Sequence, residues 1–104
     1  MKAEILIKQF IENNNIKLKN ENLFCEDNVL YSYGYHFPLA LKLNDGFIVV
    51  NLSKYSSSTS KQQYYLNKNV VENKKLYVDT FRLKEMIQNN IKSVSEIICE
   101  VLVK

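Results

Sequence analysis

His36 is the only histidine in the chain, and so the only side chain whose ordinary pKa suits proton transfer near neutral pH. Nucleophilic catalysis would need a thiol or hydroxyl in contact with it, and the spacing of Cys25, Cys99 and the serines establishes no such contact. His36 therefore reads as a structural histidine beside a strand end, and no catalytic residue is assigned. One His and two separated Cys also fall short of a closed tetrahedral metal site unless carboxylates complete it, so no metal is expected. Glu26 and Asp27 are adjacent, and on an extended chain they point to opposite faces, which is no arrangement for acid–base work. No cofactor is expected.

Two other constellations carry more chemistry. Lys54-Tyr55-Ser56-Ser57-Ser58-Thr59-Ser60-Lys61 sets hydroxyls between lysines, directly before the helical pattern Lys61-Gln62-Gln63-Tyr64-Tyr65-Leu66. Such a helix N-terminus can take a phosphate or carboxylate on its free backbone N–H groups and on the Lys61 ammonium. The glycines of a P-loop are missing, so nucleotide hydrolysis does not follow. The plainer reading is a solvated loop in which Ser58, Thr59 or Ser60 caps the helix.

Val29, Tyr31, Tyr33, Tyr35 and Phe37 fall on one face of an extended chain, with Leu30, Ser32, Gly34 and His36 on the other. Two readings of this ladder stand side by side. The rings form an inner sheet face packed under a helix, with Tyr hydroxyls at the rim. Alternatively they form a stacking platform for single-stranded RNA or DNA, with the lysines of residues 42–75 on the phosphates.

The elements that must hold these groups follow from hydrophobic spacing. Ala3, Leu6, Ile7, Phe10 and Ile11 predict an amphipathic helix ended by Asn13-Asn14-Asn15. Ile16-Lys17-Leu18-Lys19 alternates as a half-buried strand, and Leu23-Phe24-Cys25 as another that ends at Glu26-Asp27-Asn28. Pro38 marks a strand end or an edge position. Leu39–Leu43, Asn44-Asp45-Gly46 and Phe47–Asn51 form the strongest hairpin signal in the chain. A short helix over Lys61–Leu66 follows, then short extended segments at Val70-Val71 and Leu76–Val78. Thr80 is expected to cap a helix whose buried stripe is Leu83, Met86 and Ile87. Ser93-Val94-Ser95-Glu96 has the capping-box form, and Val94, Ile97, Ile98, Val101 and Leu102 continue at helical spacing, with a terminal strand as the alternative because the segment is rich in β-branched residues. The sum is a single α+β domain over residues 1–104, with a small, mainly antiparallel sheet, an N-terminal helix, a short central helix and C-terminal helical segments.

Composition sets the setting. A chain of 104 residues with 46% hydrophobic and 24% charged side chains is long enough for one core and too apolar for wholesale disorder. Two cysteines without a CxxC pair suit reduced thiols, and the N-terminus holds neither a signal peptide nor a span, so a cytoplasmic protein without membrane partners is expected. The net charge of +3 is unevenly spread: residues 41–75 carry six lysines against Asp45 and Glu72, a surplus that suits phosphate or an acidic protein face. Thirteen of the fourteen basic residues are Lys, which weighs against base-specific readout, a task usually given to Arg.

Tyr31-Ser32-Tyr33-Gly34-x-His36-Phe37-Pro38-Leu39-Ala40, a hairpin, and Asn51-x-x-Lys54-Tyr55-Ser56-x-Ser58-Thr59-Ser60-Lys61 together resemble a motif of small proteins from bacteriophages and other mobile elements, over roughly a third of the chain. Those proteins often carry His where this chain has Gln62 or Gln63. The resemblance implies a non-enzymatic binding protein in a bacterial host cell, of the class to which counter-defence proteins such as anti-CRISPRs belong. It would act as an inhibitor that occludes a host protein or ribonucleoprotein. The expected binding surface is Tyr31, Tyr33, Tyr35, His36, Lys54, Tyr55, Ser58, Thr59, Ser60, Lys61, Gln62 and Tyr64. The alternative is a single-stranded nucleic-acid-binding protein using the same Tyr and Lys surface. A third class, an enzyme acting on a phosphorylated or acyl substrate through His36 and the serine run, has only those residues behind it.

Overall fold

The computed structural model describes residues 2–13, 17–20, 22–54 and 57–97. Six strands form one sheet in chain order: β1 (Leu18–Asn20), β2 (Leu23–Glu26), β3 (Val29–Ser32), β4 (Pro38–Lys42), β5 (Ile48–Asn51) and β6 (Lys75–Val78). The first five run antiparallel through tight turns. The sixth lies parallel to β5, because the chain crosses back through helix α2 (Ser57–Asn69) before entering it. Helix α1 (Ala3–Glu12) precedes the sheet, α3 (Thr80–Gln88) follows it, and residues 94–97 are again helical. The expected α+β class and mainly antiparallel sheet are what the chain adopts.

The register explains which side chains are buried. One row across the sheet runs Leu18, Cys25, Leu30, Ala40, Val50, Tyr77. On that side Leu6, Ile7 and Phe10 of α1 and Leu66 and Val70 of the α2 segment close a core with Leu23, Leu39 and Ile48. The next row, Glu26, Val29, Leu41, Val49, Leu76, faces the other way. There Leu83 and Met86 of α3, with Ile91, cover Val29, Leu41 and Val49. Each fully buried Leu, Ile or Phe contributes about 1.5–3 kcal/mol, so the two helical layers hold the sheet between them. Because α3 lies over β4 and β5, the β1–β3 end of its face carries a different set of side chains.

Two lysines are turned inward to finish helices. Lys42 Nζ donates to the carbonyls of Phe10 (3.3 Å) and Asn13 (2.9 Å) at the end of α1. Lys75 Nζ pairs with Glu72 at 2.9 Å and donates to Asn67 O in the last turn of α2 at 3.2 Å. Both place a cation at the negative end of a helix dipole. The pairing with Glu72 holds the Lys75 ammonium above its usual pKa, and burial lowers that of Lys42.

Several local expectations are corrected. The Val29–Phe37 run is not one strand: β3 stops at Ser32, because Tyr33 and Gly34 adopt φ of +60° and +98°. Phe37 consequently leaves the tyrosines and joins the α1/α2 core. Helix α2 begins at Ser57 and runs for 13 residues, so Thr59 lies inside it, fully buried, and is not its cap. Asp79, not Thr80, caps α3: its Oδ1 accepts from Arg82 N at 2.8 Å, a carboxylate at the positive end of the helix. Val70-Val71 forms no strand, although Leu76–Val78 does. At residues 93–96 the capping box is present, with Glu96 Oε2 accepting from Ser93 N (2.8 Å) and Ser93 Oγ accepting from Glu96 N (3.4 Å). The choice between helix and strand for residues 98–104, and the state of Cys99, lie outside the described residues.

A buried polar network ties β3, β5, α2 and α3 together. Asn51 Nδ2 donates to Pro38 O (2.8 Å) and Thr80 Oγ1 (2.9 Å), while its Oδ1 accepts from Ser53 N (2.8 Å). Gln63 Nε2 donates to the carbonyls of Asn51 (2.9 Å) and Ser53 (2.8 Å). Ser32 Oγ donates to Gln62 Oε1 at 2.7 Å and lies 3.4 Å from Thr59 Oγ1. Inside a protein such bonds specify one arrangement, since any misplaced member leaves a buried polar group unpaired.

A weaker polar contact clamps α1 to α2. Asn69 Nδ2 donates to Glu4 Oε2 at 3.4 Å, and Lys68 Nζ lies 3.5 Å from the same oxygen. The Asn69 hydrogen bond, helped by Lys68 and Lys8 against a smaller effect of burial, holds the Glu4 carboxyl below its ordinary pKa. A carboxyl depressed in the folded state stabilises above its unfolded pKa and loses that contribution as pH falls through the folded value. Stability should therefore drop on acidification below the ordinary carboxylate range, and Glu4→Gln should flatten that part of the profile. Urea midpoints measured at neutral and acid pH for both proteins check this, and equal acid losses would contradict it.

Candidate functional site

At the β1–β3 end of the sheet, on the side that carries α3, three aromatic rings pack on one another. The antiparallel register sets Phe24 directly across from Tyr31, and their rings stack with centroids 5.1 Å apart and planes 22° from parallel. The left-handed turn at Tyr33-Gly34 folds the chain back, so that Tyr35 stands edge-on to both, 5.1 Å from Phe24 and 5.0 Å from Tyr31. Tyr35 remains 63% exposed, while Phe24 and Tyr31 are half-buried. The Tyr35 hydroxyl donates to Glu26 Oε2 at 3.0 Å, and Lys17 Nζ lies 3.8 Å from that same oxygen.

The environment keeps both phenols protonated. Hydrogen bonding to Glu26 pushes the Tyr35 pKa up, and burial, aided by Tyr35, Glu26 and Asp27, does the same for Tyr31. Beside the rings opens a cleft of about 640 Å³, walled by Lys17, Lys19, Phe24, Glu26, Tyr33 and Tyr35. Its charged lining is mixed, two lysines and Glu26, with Asp27 next to Glu26 in the chain.

A second cleft, of about 610 Å³, lies between α1, α2 and the β1–β2 turn, and is walled by Lys2, Asn20, Tyr33, Lys61, Gln62 and Tyr65. Asn22 and Tyr33 belong to both clefts, and Tyr33 N donates to Asn22 O at 2.7 Å. The strained Tyr33 backbone is thus the ridge between them. A non-glycine residue at positive φ is held there by its surroundings, and such strain gathers at functional surfaces.

The structure divides the residues singled out from the sequence. Tyr31 and Tyr35 share the aromatic cluster. Tyr33, Lys61 and Gln62 meet in the second cleft, so the tyrosine turn and the hydroxyl-and-lysine segment do come together, at that one place. Thr59 is buried against Ser32, with no surface left for a partner, and Ser60 is half-buried in α2. His36 is exposed on the turn, with its ring beside Gly34. Lys54 is exposed ahead of α2, and Tyr64 is exposed further along it, its ring 5.8 Å from that of Tyr65. Ser58 lies in the first turn of α2 by its backbone, and Tyr55 lies outside the described residues.

Phe24, Lys17 and Lys19 were not among the expected site residues, although Phe24 stacks on Tyr31 and the lysines wall its cleft. The signal was present in the alternation Lys17, Lys19 and Phe24, Glu26, two short runs whose odd partners are apolar. Read as a hairpin, they put exactly these side chains on one face beside Tyr31.

Burial pushes the Cys25 thiol up, away from the thiolate that a nucleophile requires. Among the described residues no three His, Cys, Asp or Glu side chains gather as metal ligands, and no helix is long and apolar enough to cross a membrane. What the surface offers is exposed aromatic area, phenolic donors and mixed charge, which suits recognition.

The turn itself can be tested. Gly34 sits at φ +98°, and a Cβ there would lie 3.4 Å from His36 Nδ1, so Gly34→Ala should cost about 1 kcal/mol or slightly more through backbone strain. Chemical denaturation gives the number, and an unchanged midpoint would mean that the turn relaxes freely.

Compared with protein-family models, with curated proteins and with solved structures, the chain matches none.

Proposed function

We propose that this protein is a non-enzymatic binding module that seats a segment of a partner protein on the Phe24, Tyr31 and Tyr35 rings and in the cleft beside them. The observation that carries this reading is the three-ring cluster itself, held by sheet register and a strained turn, with Tyr35 left largely in solvent. Rigid aromatic anchors that present apolar area at low entropic cost are what protein interfaces use as hot spots. The mix of Lys17, Lys19 and Glu26 along the cleft suits a polypeptide that carries both signs of charge. The resemblance of residues 31–40 and 51–61 to small phage and mobile-element proteins suits a setting in which this surface would occlude a host protein or ribonucleoprotein, as an anti-CRISPR-like inhibitor does.

A second reading, single-stranded nucleic-acid binding, draws on one observation: Phe24 and Tyr31 are stacked beside two lysines. Against it, Tyr35 stands edge-on to both rings and the Glu26 carboxylate lines the same cleft as the lysines.

Panning a displayed random-peptide library on the immobilised protein, with oligonucleotide titrations at low and moderate salt alongside, separates the two. Enriched peptides whose binding is lost in Tyr35→Ala support the protein-segment reading. Oligonucleotide affinity that falls steeply with salt, with no enriched peptide, would replace it by the second.

A further inference from the structure

Seven large apolar side chains are exposed among the described residues, and five of them belong to β6 or to the segments that flank it. Tyr77 lies on β6 and is 43% exposed. Its hydroxyl donates to Asn67 Oδ1 at 3.4 Å, and Asn67 sits on α2 between exposed Tyr64 and exposed Val71. On the other flank, Leu52 N donates to Val78 O at 2.8 Å, and Phe81, 78% exposed, follows β6 by three residues. An apolar patch that runs along a sheet edge marks an interaction surface.

The edge itself has free hydrogen-bonding capacity. Since β6 is the last strand of the sheet among the described residues and Val78 O turns toward the β5 side, the alternation of a strand sends the C=O of Lys75 and the N–H and C=O of Tyr77 outward, while the Lys75 N–H is taken by Glu72 O. The strand carries no proline and pairs with β5 in unbroken register, so although it is only four residues long no bulge turns its edge away.

Charge then selects the occupant. Lys74 and Lys75 stand at the start of β6 and Asp79 just past its end, and Glu72 already neutralises Lys75. Two copies paired antiparallel edge to edge bring the Lys74 end of each against the Asp79 end of the other, whereas parallel pairing would set like charges together. We propose that the protein forms a two-fold symmetric dimer through antiparallel pairing of β6 with β6 of a second copy. Such an interface is self-complementary in hydrogen bonding, apolar area and charge, as two-fold symmetry requires. The aromatic cleft lies at the opposite end of the sheet, so the dimer would present two of them. The inference does not depend on what binds there.

Sedimentation equilibrium of the full chain, from micromolar to sub-millimolar concentration, tests it. The wild type should follow a monomer–dimer equilibrium, and Tyr77→Asp should weaken the dimer by at least about tenfold. Lys74→Glu and Asp79→Lys should each weaken self-association roughly tenfold, because both symmetry-related pairs become like-charged; circular dichroism checks that Asp79→Lys, which also loses the α3 cap, keeps its fold. Mixed in equal amounts they should recover the wild-type affinity as a heterodimer, in which both pairs are opposite again. A wild type that stays monomeric throughout, single charge variants that associate like the wild type, or a mixture no tighter than its components would each overturn the proposal.

Discussion

Asn51→Leu is expected to lower the folding stability by about 4 kcal/mol, with the urea midpoint falling and the slope unchanged. Leucine keeps the branched four-heavy-atom side chain of asparagine but is bulkier, so the loss combines the polar network with some overpacking. The carboxamide makes three bonds of 2.8–2.9 Å, to Pro38 O, Thr80 Oγ1 and Ser53 N, in a side chain that is 1% exposed. Removing it leaves a buried carbonyl and a part-buried N–H without their partner, at about 1–3 kcal/mol each, besides the lost bonds. Thr80→Ala, which deletes only one partner of Asn51, should cost nearer 1 kcal/mol. A loss below about 1 kcal/mol for Asn51→Leu would mean that the end of β5 is held by apolar packing alone.

That prediction bears on what the Asn51–Lys61 signature means. Asn51, Ser53, Thr59, Gln62 and Gln63 look like a display of polar groups, yet each directs its side chain into the fold or onto another element. Their pattern reflects the joining of β5 to α2 and α3. Of that segment, Lys61 and Gln62 reach a cleft.

The second large effect concerns binding. In the protein-segment reading, Phe24→Ala combined with Tyr35→Ala should weaken a selected peptide by roughly thirtyfold or more, the loss typical of hot-spot aromatics. Tyr35→Phe should cost much less, because the ring stays and only the hydroxyl bond to Glu26 is lost. Tyr64→Ala, on the far side of α2 from this cluster's sheet face, should leave the affinity unchanged. Circular dichroism of each variant separates loss of surface from loss of fold. Equal affinity for the double variant and the wild type would exclude these rings as anchors.

Where the chain obeys one period, its fold could be read directly. The helical spacing of Leu6, Ile7 and Phe10 located α1, and Asp45-Gly46 between two apolar runs located the β4–β5 hairpin. The tyrosine ladder failed for an equally local reason: alternation assigns faces only while the backbone stays extended, and Tyr33-Gly34 leaves the extended region. Tyr31 and Tyr35 returned to one side only because the turn folds back, and Tyr33 went to the ridge between the clefts. Phe24 escaped notice because its importance depends on a cross-strand partner, a pairing no single-strand pattern contains. The start of α2 was misplaced because serines suit both caps and loops, and the burial of Thr59 against Ser32 decided the matter from a distance of 27 residues.

Titration of the isotopically labelled protein with the tightest selected peptide, followed by backbone amide shifts, locates the interface most directly. Seating on the aromatic cluster predicts perturbations concentrated in residues 17–19, 24–26 and 31–35. Saturable binding that instead moves only the amides of α2 and β6, leaving those three stretches untouched, would contradict it.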